Sequence, residues 1–420
     1  MYVAVPLDSD PEPVRTFATF TEDLHALADW LQRCRIQTVA LESTGVYWIP
    51  VFQILEDRGL DVCLVNARHV KNAPGRKTDV SDCQWLQYLH SVGLVRPSFR
   101  PPAQVCAFRG LWRHRDTLIR YAASHVQHMQ KALTQMNIQL ANVISDLTGK
   151  TGLLIVDAIL EGERDPQKLA KFRDSRIRAD QKTIAKSLCG DWREEHLFCL
   201  KQAREIYKSY QEKVSECDVE IARMLSRFES RVDIEETPLP PKTTTHVKAQ
   251  RNEVRFDLRG ELYRILGVDL TQVPGLQSTI GSIFLSEVGA SVDKFDNVKR
   301  FTSWLGLCPD NRITGGRVLS SATRKVKSRF AYSLRMAAQT LYRSQSALGD
   351  YFRRMRARLG APEAITAAAH KLARIIYYMV KNQCPYDASV FVAEEEQHRI
   401  RRQKNLQKQA AHLGMQLIPI

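Results

Sequence analysis

The sequence has no pair of cysteines at CxxC spacing, and its nine cysteines are an odd number spread along the chain. This arrangement gives no readable zinc site or disulfide framework and favours reduced thiols in a cytosol, most of them buried. The sequence also lacks an apolar run of membrane-spanning length and a charged start followed by a hydrophobic segment. We therefore expect a cytoplasmic protein with no membrane partner.

Acidic residues are too few to balance the basic ones. Asp and Glu number 46 against 61 Lys and Arg, so the net charge is +15. This excess indicates a polyanionic partner, with nucleic acid as the first candidate. The length of 420 residues allows two or three domains with cores of their own.

Three carboxylates stand at positions that suit a divalent metal. Glu42 ends the apolar run 38–41, which is typical of a buried strand. Asp79 and Asp82 are three residues apart in a predicted helix, so both face the same side. Mg²⁺ prefers such oxygen ligands and suits phosphate chemistry. The simpler alternative makes Asp79 an N-cap, Asp82 a favourable charge at the positive helix end, and Glu42 a surface residue.

The first hundred residues alternate between strand and helix patterns. This alternation predicts an α/β domain with a mixed sheet over residues 1–102. The predicted strands are Tyr2–Val5, Val14–Phe20, Thr38–Glu42 and Asp61–Asn66. The predicted helices before Asp79 are Glu22–Arg33, with Thr21 as N-cap, and Pro50–Arg58.

Residues 103–235 have few glycines and prolines and show helical periodicity. The pattern predicts long helices from Val105 to about Leu147 and from about Leu197 to Phe228, as a helical hairpin or coiled-coil arm. Such an arm would serve dimerisation or nucleic-acid binding. The alternative is that the helices only pack together with a solvent-exposed charged side. The Pro- and Thr-rich composition that follows predicts a linker over 236–261.

The sequence pattern predicts a second, mostly helical unit over residues 262–390 and a basic tail over 391–420. Gly275 precedes a small-residue helix and resembles part of a helix-hairpin-helix element, in which backbone N–H groups bind phosphate. An ordinary helix start is an equal alternative.

A basic patch lies within this second unit. Between 311 and 349 there is no acidic residue, and a patch of this kind usually contacts phosphates. A hydroxyl in its Gly315-Gly316 loop region, such as that of Ser320 or Ser321, would bind or attack phosphate. The eight basic residues are Arg312, Arg317, Arg324, Lys325, Lys327, Arg329, Arg335 and Arg343.

The order of these motifs resembles the DEDD-type insertion-sequence transposases related to the Piv DNA invertase, whose members include serine-dependent recombinases guided by a bridge RNA. The resemblance extends through nearly the whole chain. The segments that carry it are Leu41–Trp48, Val65–Arg68, Lys77–Asp82, Val273–Gly275, Leu305–Pro309 and Gly315-Gly316.

The resemblance implies a RuvC-like, RNase H-fold domain, a coiled-coil middle and a C-terminal transposase domain. It implies that Glu42, Asp79 and Asp82 hold Mg²⁺ and that Thr314 stands at the position of the family's nucleophilic serine. DNA would be the substrate, a guide RNA a further partner, and the active form a dimer or tetramer in which two sites meet at one phosphate.

Two positions depart from the family pattern. The family's first Asp lies before a strand like Tyr2–Val5, and here Met1 follows that point, while Asp8 and Asp10 lie beyond the strand. We expect the natural start to lie upstream, with a decayed copy of the element as the alternative. The second departure is Thr314, whose β-methyl crowds an attack and stiffens χ1.

The sequence therefore predicts a transposase that cuts and rejoins DNA with Mg²⁺-bound carboxylates and a hydroxyl nucleophile. A metal-dependent nuclease or resolvase without a covalent intermediate is one alternative. An inactive relic that still binds nucleic acid is the other.

Overall fold

The chain forms two compact units, Met1–Pro101 and Pro102–Ile420. The structure is a computed structural model that describes residues 1–43, 45–66, 78–241, 252–412 and 414–415. Side chains at 390–398, 402 and 408 are not described. Within these ranges, no helix combines the length and apolar character needed to cross a membrane. The motif residues that lie outside the described ranges are Thr44, Ala67, Arg68, Lys77 and the linker portion 242–251.

The first unit alternates strands and helices, as the sequence predicts. Its strands are β1 (Tyr2–Ala4), β2 (Val14–Thr16), β3 (Thr38–Glu42) and β4 (Asp61–Val65). Its helices are α1 (Thr21–Arg33), α2 (Trp48–Asp57) and α3 (Asp79–Ser91). β1 pairs antiparallel with β2, and β3 pairs parallel with β4. The described residues therefore form two separate two-stranded sheets rather than the single mixed sheet expected.

Helices α1 and α2 supply most of the core of the first unit. The apolar face of α1 buries Leu27, Trp30 and Leu31, and α2 adds Leu55. Residues of both sheets pack against this cluster, so one core serves both strand pairs. The predicted N-cap Thr21 is wrong by one residue: Phe20 takes the extended N-cap conformation, and α1 begins at Thr21.

The second unit is almost entirely helical in its described part. Its strands are β5 (Arg312–Thr314) and β6 (Arg317–Ser320), and its short 3₁₀ turns are Leu270–Gln272 and Leu341–Arg343. Its helices are α4 (Ala103–Gln135), α5 (Leu140–Val143), α6 (Lys150–Leu160), α7 (Pro166–Ala170), α8 (Gln181–Ser187), α9 (Glu194–Leu225), α10 (Leu258–Leu266), α11 (Ser278–Glu287), α12 (Val298–Trp304), α13 (Arg329–Thr340), α14 (Ala347–Leu359), α15 (Ala361–Asn382) and α16 (Ser389–His412). The basic tail is thus helical through His412.

The two longest helices, α4 and α9, pack side by side and antiparallel. The rings of Phe108 and Phe228 lie 6.2 Å apart near one end, and those of Tyr121 and Tyr210 lie 5.9 Å apart further along. A helical hairpin is therefore present, while coiled-coil geometry stays a prediction. α4 ends at Gln135, not Leu147, because Asn137 turns left-handed at φ 55°. The apolar residues that continue the pattern after it are buried beside α6 and α9.

All nine cysteines are free thiols, as the absence of a disulfide pattern predicts. The expectation that most are buried is wrong. Cys189 and Cys199 are exposed, and the other seven are half-buried.

Candidate functional site

The Gly-containing loop of the basic patch is a β-hairpin. Gly315 and Gly316 form its two-residue turn, with φ of 53° and 78°. Two consecutive left-handed residues are what a type I′ hairpin turn requires, and glycine adopts them at little cost. Thr314 therefore ends β5 directly at the turn and pairs with Arg317, which begins β6.

The hairpin has two chemically different faces. Thr314 and Arg317 are directly opposed, so their side chains lie on one face, and Arg312, two residues earlier, lies on that face too. The opposite face carries the opposed pair Ile313 and Val318, whose side chains are 59% and 60% exposed. Thr314 itself is exposed. Thr314 thus shares one exposed face of the hairpin with two arginines.

Ser320 is the last residue of β6 and Ser321 follows it, so both lie at the end of the strand away from the turn. Ser320 is half-buried, pairs with Arg312 across a bulge, and accepts a hydrogen bond from the Ala322 N–H at 3.3 Å. Ser321 is exposed beyond the end of β6. Neither serine lies at the turn, where Thr314 does.

The cations of the patch differ in their partners. Arg329 pairs with Asp116 at 3.2 Å. Arg324 and Arg335 donate to the carbonyl groups of Ser303 and Gly306. These three arginines therefore help to hold the fold of the patch.

Four further cations of the patch are exposed and lack an acidic partner among the described residues. In the part of the chain that is described, no acidic side chain pairs with Arg312, Arg317, Lys325 or Lys327, and all four are exposed. Their charge is therefore uncompensated at this surface, which suits contact with a phosphate backbone.

The predicted carboxylates lie in the first unit. Glu42 is the last residue of β3, where it pairs with Val65 of β4. Asp79 and Asp82 are in the first turn of α3, which contacts β1 and β3. Thr78 is the N-cap, because its hydroxyl accepts a hydrogen bond from the Ser81 N–H at 3.2 Å. The alternative reading of Asp79 as the N-cap is therefore wrong.

These carboxylates do not fit a metal site as they stand. Among the described residues, no three or more His, Cys, Asp or Glu side chains are grouped so that they could hold a metal ion. Burial, with the nearby carboxylates of Asp82 and Asp79, raises the pKa of the Cys83 thiol, so Cys83 is not a ready thiolate ligand.

Asp10 does not supply the missing ligand. Its carboxylate accepts hydrogen bonds from the Trp30 indole at 3.0 Å and from Arg15 at 3.1 Å. Hydrogen bonds from the Glu12 N–H and from Trp30 lower the pKa of Asp10. Its oxygens are thus occupied in holding β2 against α1.

The predicted helix-hairpin-helix element is built from α10, a 3₁₀ turn and α11. Gly275 has φ of 88°, and an added Cβ would lie 3.1 Å from Thr340 Oγ1 and 3.2 Å from the Ala337 carbonyl. The glycine is therefore required by close packing against the end of α13. A phosphate contact at Gly275 stays a prediction.

The two strands that flank the hairpin glycines are absent from the sequence prediction. Gly-Gly between two short segments that each contain β-branched residues is a recognised hairpin signal. The run 312–318, which reads RITGGRV, carries that signal. A two-residue turn at the glycines is enough to pair Thr314 with Arg317.

Comparison with known families identifies the class of protein. Residues 2–138 match the family model for DEDD transposases of the IS110 type, and residues 269–353 match that for transposases of the IS116/IS110/IS902 family. Together the matches cover more than half of the chain and define a DNA-processing enzyme of the transposase class. The chain belongs to the IS110 family of DEDD transposases. No curated protein matches it.

Proposed function

We propose that this chain is a DNA recombinase of an insertion sequence in which the Thr314 hydroxyl attacks a DNA phosphate. The observation that carries the proposal is the position of Thr314 at the tip of an exposed basic hairpin. That hairpin lies within the stretch 269–353 that matches the transposase family.

In the proposed step, a bond forms between Thr314 Oγ and phosphorus while the bond from phosphorus to one deoxyribose oxygen breaks. The hydroxyl loses its proton, and the departing oxygen gains one. The product is a threonine phosphodiester to one DNA strand and a free hydroxyl on the other. Attack by the hydroxyl of another strand reverses this chemistry and completes strand exchange.

DEDD transposases normally use a divalent metal, and the resemblance assigns it to Glu42, Asp79 and Asp82. Since the described residues form no metal-binding group, we assign these carboxylates no metal-dependent step. The carboxylates and Thr314 belong to different units of the chain. We propose that the active form is an oligomer and that an RNA transcribed from the element guides it.

The test is a covalent adduct between the protein and labelled element-end DNA that survives denaturation. We expect an adduct with the wild-type chain and none with Thr314→Ala. Ser321→Ala is the matched control, because it removes an exposed hydroxyl from the same basic segment and should leave the adduct intact.

Three outcomes would contradict the proposal. An adduct that persists in Thr314→Ala would move the nucleophile elsewhere. DNA cleavage without any adduct would favour the nuclease alternative, and salt-dependent binding without cleavage would favour the relic.

A further inference from the structure

The hairpin register places Arg317 and Arg312 on the same face as Thr314. Thr314 and Arg317 are cross-strand partners, and the Cβ atoms of such opposed residues lie about 5 Å apart. Arg312 is two residues before Thr314 on the same strand, so it projects from the same face. The glycine turn fixes this arrangement, because a one-residue shift would place Thr314 on the opposite face.

Neither Arg312 nor Arg317 has a carboxylate or a backbone carbonyl as a partner among the described residues. Most other arginines of the unit pair with a carboxylate or bind a backbone carbonyl, as Arg329 does with Asp116 and Arg335 with Gly306. A guanidinium that is exposed and uncompensated keeps all its N–H donors available to an anion.

The guanidinium groups of Arg312 and Arg317 favour a phosphate as the bound anion. The planar fork of arginine matches two oxygens of a phosphate, and such charge-assisted hydrogen bonds are roughly twice as strong as neutral ones. A phosphodiester held by Arg317 through its two non-bridging oxygens would lie next to the cross-strand hydroxyl. The other face of the hairpin carries Ile313 and Val318 and offers no such donors.

We infer that Arg317, assisted by Arg312, holds the non-bridging oxygens of the DNA phosphate that Thr314 attacks. The inference deepens the proposed function and rests on it. Arg317 contacts the reacting phosphate and stabilises the negative charge that grows on its oxygens during attack, whereas Lys325 and Lys327 bind neighbouring phosphates. The role is therefore specific to the hairpin and does not extend to the patch as a whole.

The first experiment measures the rate of adduct formation at saturating DNA. Removal of one donor to a developing oxyanion typically costs about 10²- to 10³-fold in rate, and we expect a loss of that order for Arg317→Gln. Arg317→Lys should recover little, because lysine keeps the charge but not the fork. The matched control Lys182→Gln/Lys186→Gln removes two exposed cations of α8, outside the patch, and should leave this rate unchanged.

These variants separate the inference from the proposed function. If Thr314→Ala abolishes the adduct while Arg317→Gln forms it at the wild-type rate, the inference is overturned and the proposed function stands. If the control slows the adduct as much as Arg317→Gln does, the effect belongs to the overall positive charge of the chain and the inference is again overturned. All these residues are exposed, so unfolding curves should coincide.

A second measurement tests whether the hairpin holds a phosphate, and it does not require adduct formation. Element-end DNA is prepared with a single neutral methylphosphonate, placed in turn at each position around the cleavage point. If the hairpin holds a phosphate, one position weakens binding by the wild type several-fold but not binding by Arg312→Gln/Arg317→Gln. If every position affects both proteins equally, the inference is overturned.

Discussion

Arg115 of α4 and Asp218 of α9 form an ion pair that is buried between the two long helices, with side chains only 6% and 5% exposed. Arg115 also donates to the Asn252 carbonyl at 2.9 Å. The pair thus joins both helices to Asn252, within the predicted linker 236–261. Among the described side-chain hydrogen bonds, Asp218 accepts from Arg115 alone, while Arg115 donates to Asp218 and to that carbonyl.

Asp218→Ala should lower the free energy of unfolding by about 3–5 kcal/mol, because it leaves the Arg115 cation buried without its counter-ion. Glu216→Ala on the same helix is the control. It breaks an exposed pair with Lys213 and should cost about 1 kcal/mol or less. Denaturant unfolding measures both. Equal effects of the two variants would show that the buried pair contributes no more than a surface pair.

Gly275→Ala should destabilise the second unit by roughly 1–3 kcal/mol. The added Cβ meets the end of α13, and the left-handed φ disfavours alanine. Gly162→Ala is the control, because Gly162 is also left-handed but nothing lies within 4 Å of its added Cβ.

Thermal unfolding of both glycine variants, with DNA affinity measured alongside, separates packing from phosphate binding at Gly275. A loss of affinity at unchanged stability in Gly275→Ala would show that phosphate contact, not packing, selects this glycine.

Thr78→Ala should lower the stability of the first unit by about 1 kcal/mol, because it removes the N-cap of α3. Asp79→Asn removes only a favourable charge at the helix start, worth about 0.3–1 kcal/mol. If the carboxylates serve recombination, Asp79→Asn should nevertheless abolish excision of the element, whereas Thr78→Ala should retain it. Full excision by Asp79→Asn would leave that carboxylate with a structural role alone.

Asp269 should contribute a stability that is lost in acid. Burial alone would raise the pKa of its carboxyl, but hydrogen bonds from Arg259, Thr271 and Gln272 outweigh that effect and lower the pKa below 3.8. Because the folded pKa is depressed, this stabilisation is fully present above about pH 3.8 and disappears as the pH falls through the folded pKa.

Asp269→Asn tests this acid dependence. We expect it to lower the free energy of unfolding by about 1.5–3 kcal/mol at pH 7, the range for hydrogen bonds to a charged group. The difference from the wild type should shrink as the pH falls below about 4. Urea unfolding at several pH values measures the difference, and a gap that stays constant down to pH 2 would argue against the depressed pKa.

Thr314→Ser should increase the rate of adduct formation, because removal of the β-methyl opens the path to phosphorus and frees χ1. We expect a gain of up to about tenfold, equivalent to ~1.4 kcal/mol in the barrier. Single-turnover kinetics at saturating DNA measures this rate. A slower serine variant would mean that the methyl group positions the hydroxyl rather than obstructing it.

The strands and helices of the first unit could be predicted from the sequence because their apolar patterns are strong. β3 and α1 bury the residues that carry those patterns. The end of α4 could not be predicted, because helix formers continue past Gln135 and the turn depends on the left-handed Asn137. The apolar residues that follow Gln135 are buried in the core although they do not belong to α4.

The geometry of the candidate site could be predicted only in part. The sequence marked Thr314 and its basic surroundings, yet β5 and β6 are too short for alternation to reveal a register. Which arginine faces Thr314 depends on the turn type, and that is a property of the folded backbone. Whether Glu42, Asp79 and Asp82 approach one another depends on how α3 lies against the strands, which no local pattern encodes.

The length of α4 sets a spatial scale for any nucleic acid that the second unit binds. A helix of 33 residues measures about 50 Å. A DNA duplex rises about 3.4 Å per base pair, so about fifteen base pairs, or one and a half helical turns, equal the length of this rod. Contacts at its two ends would therefore meet opposite sides of a straight duplex.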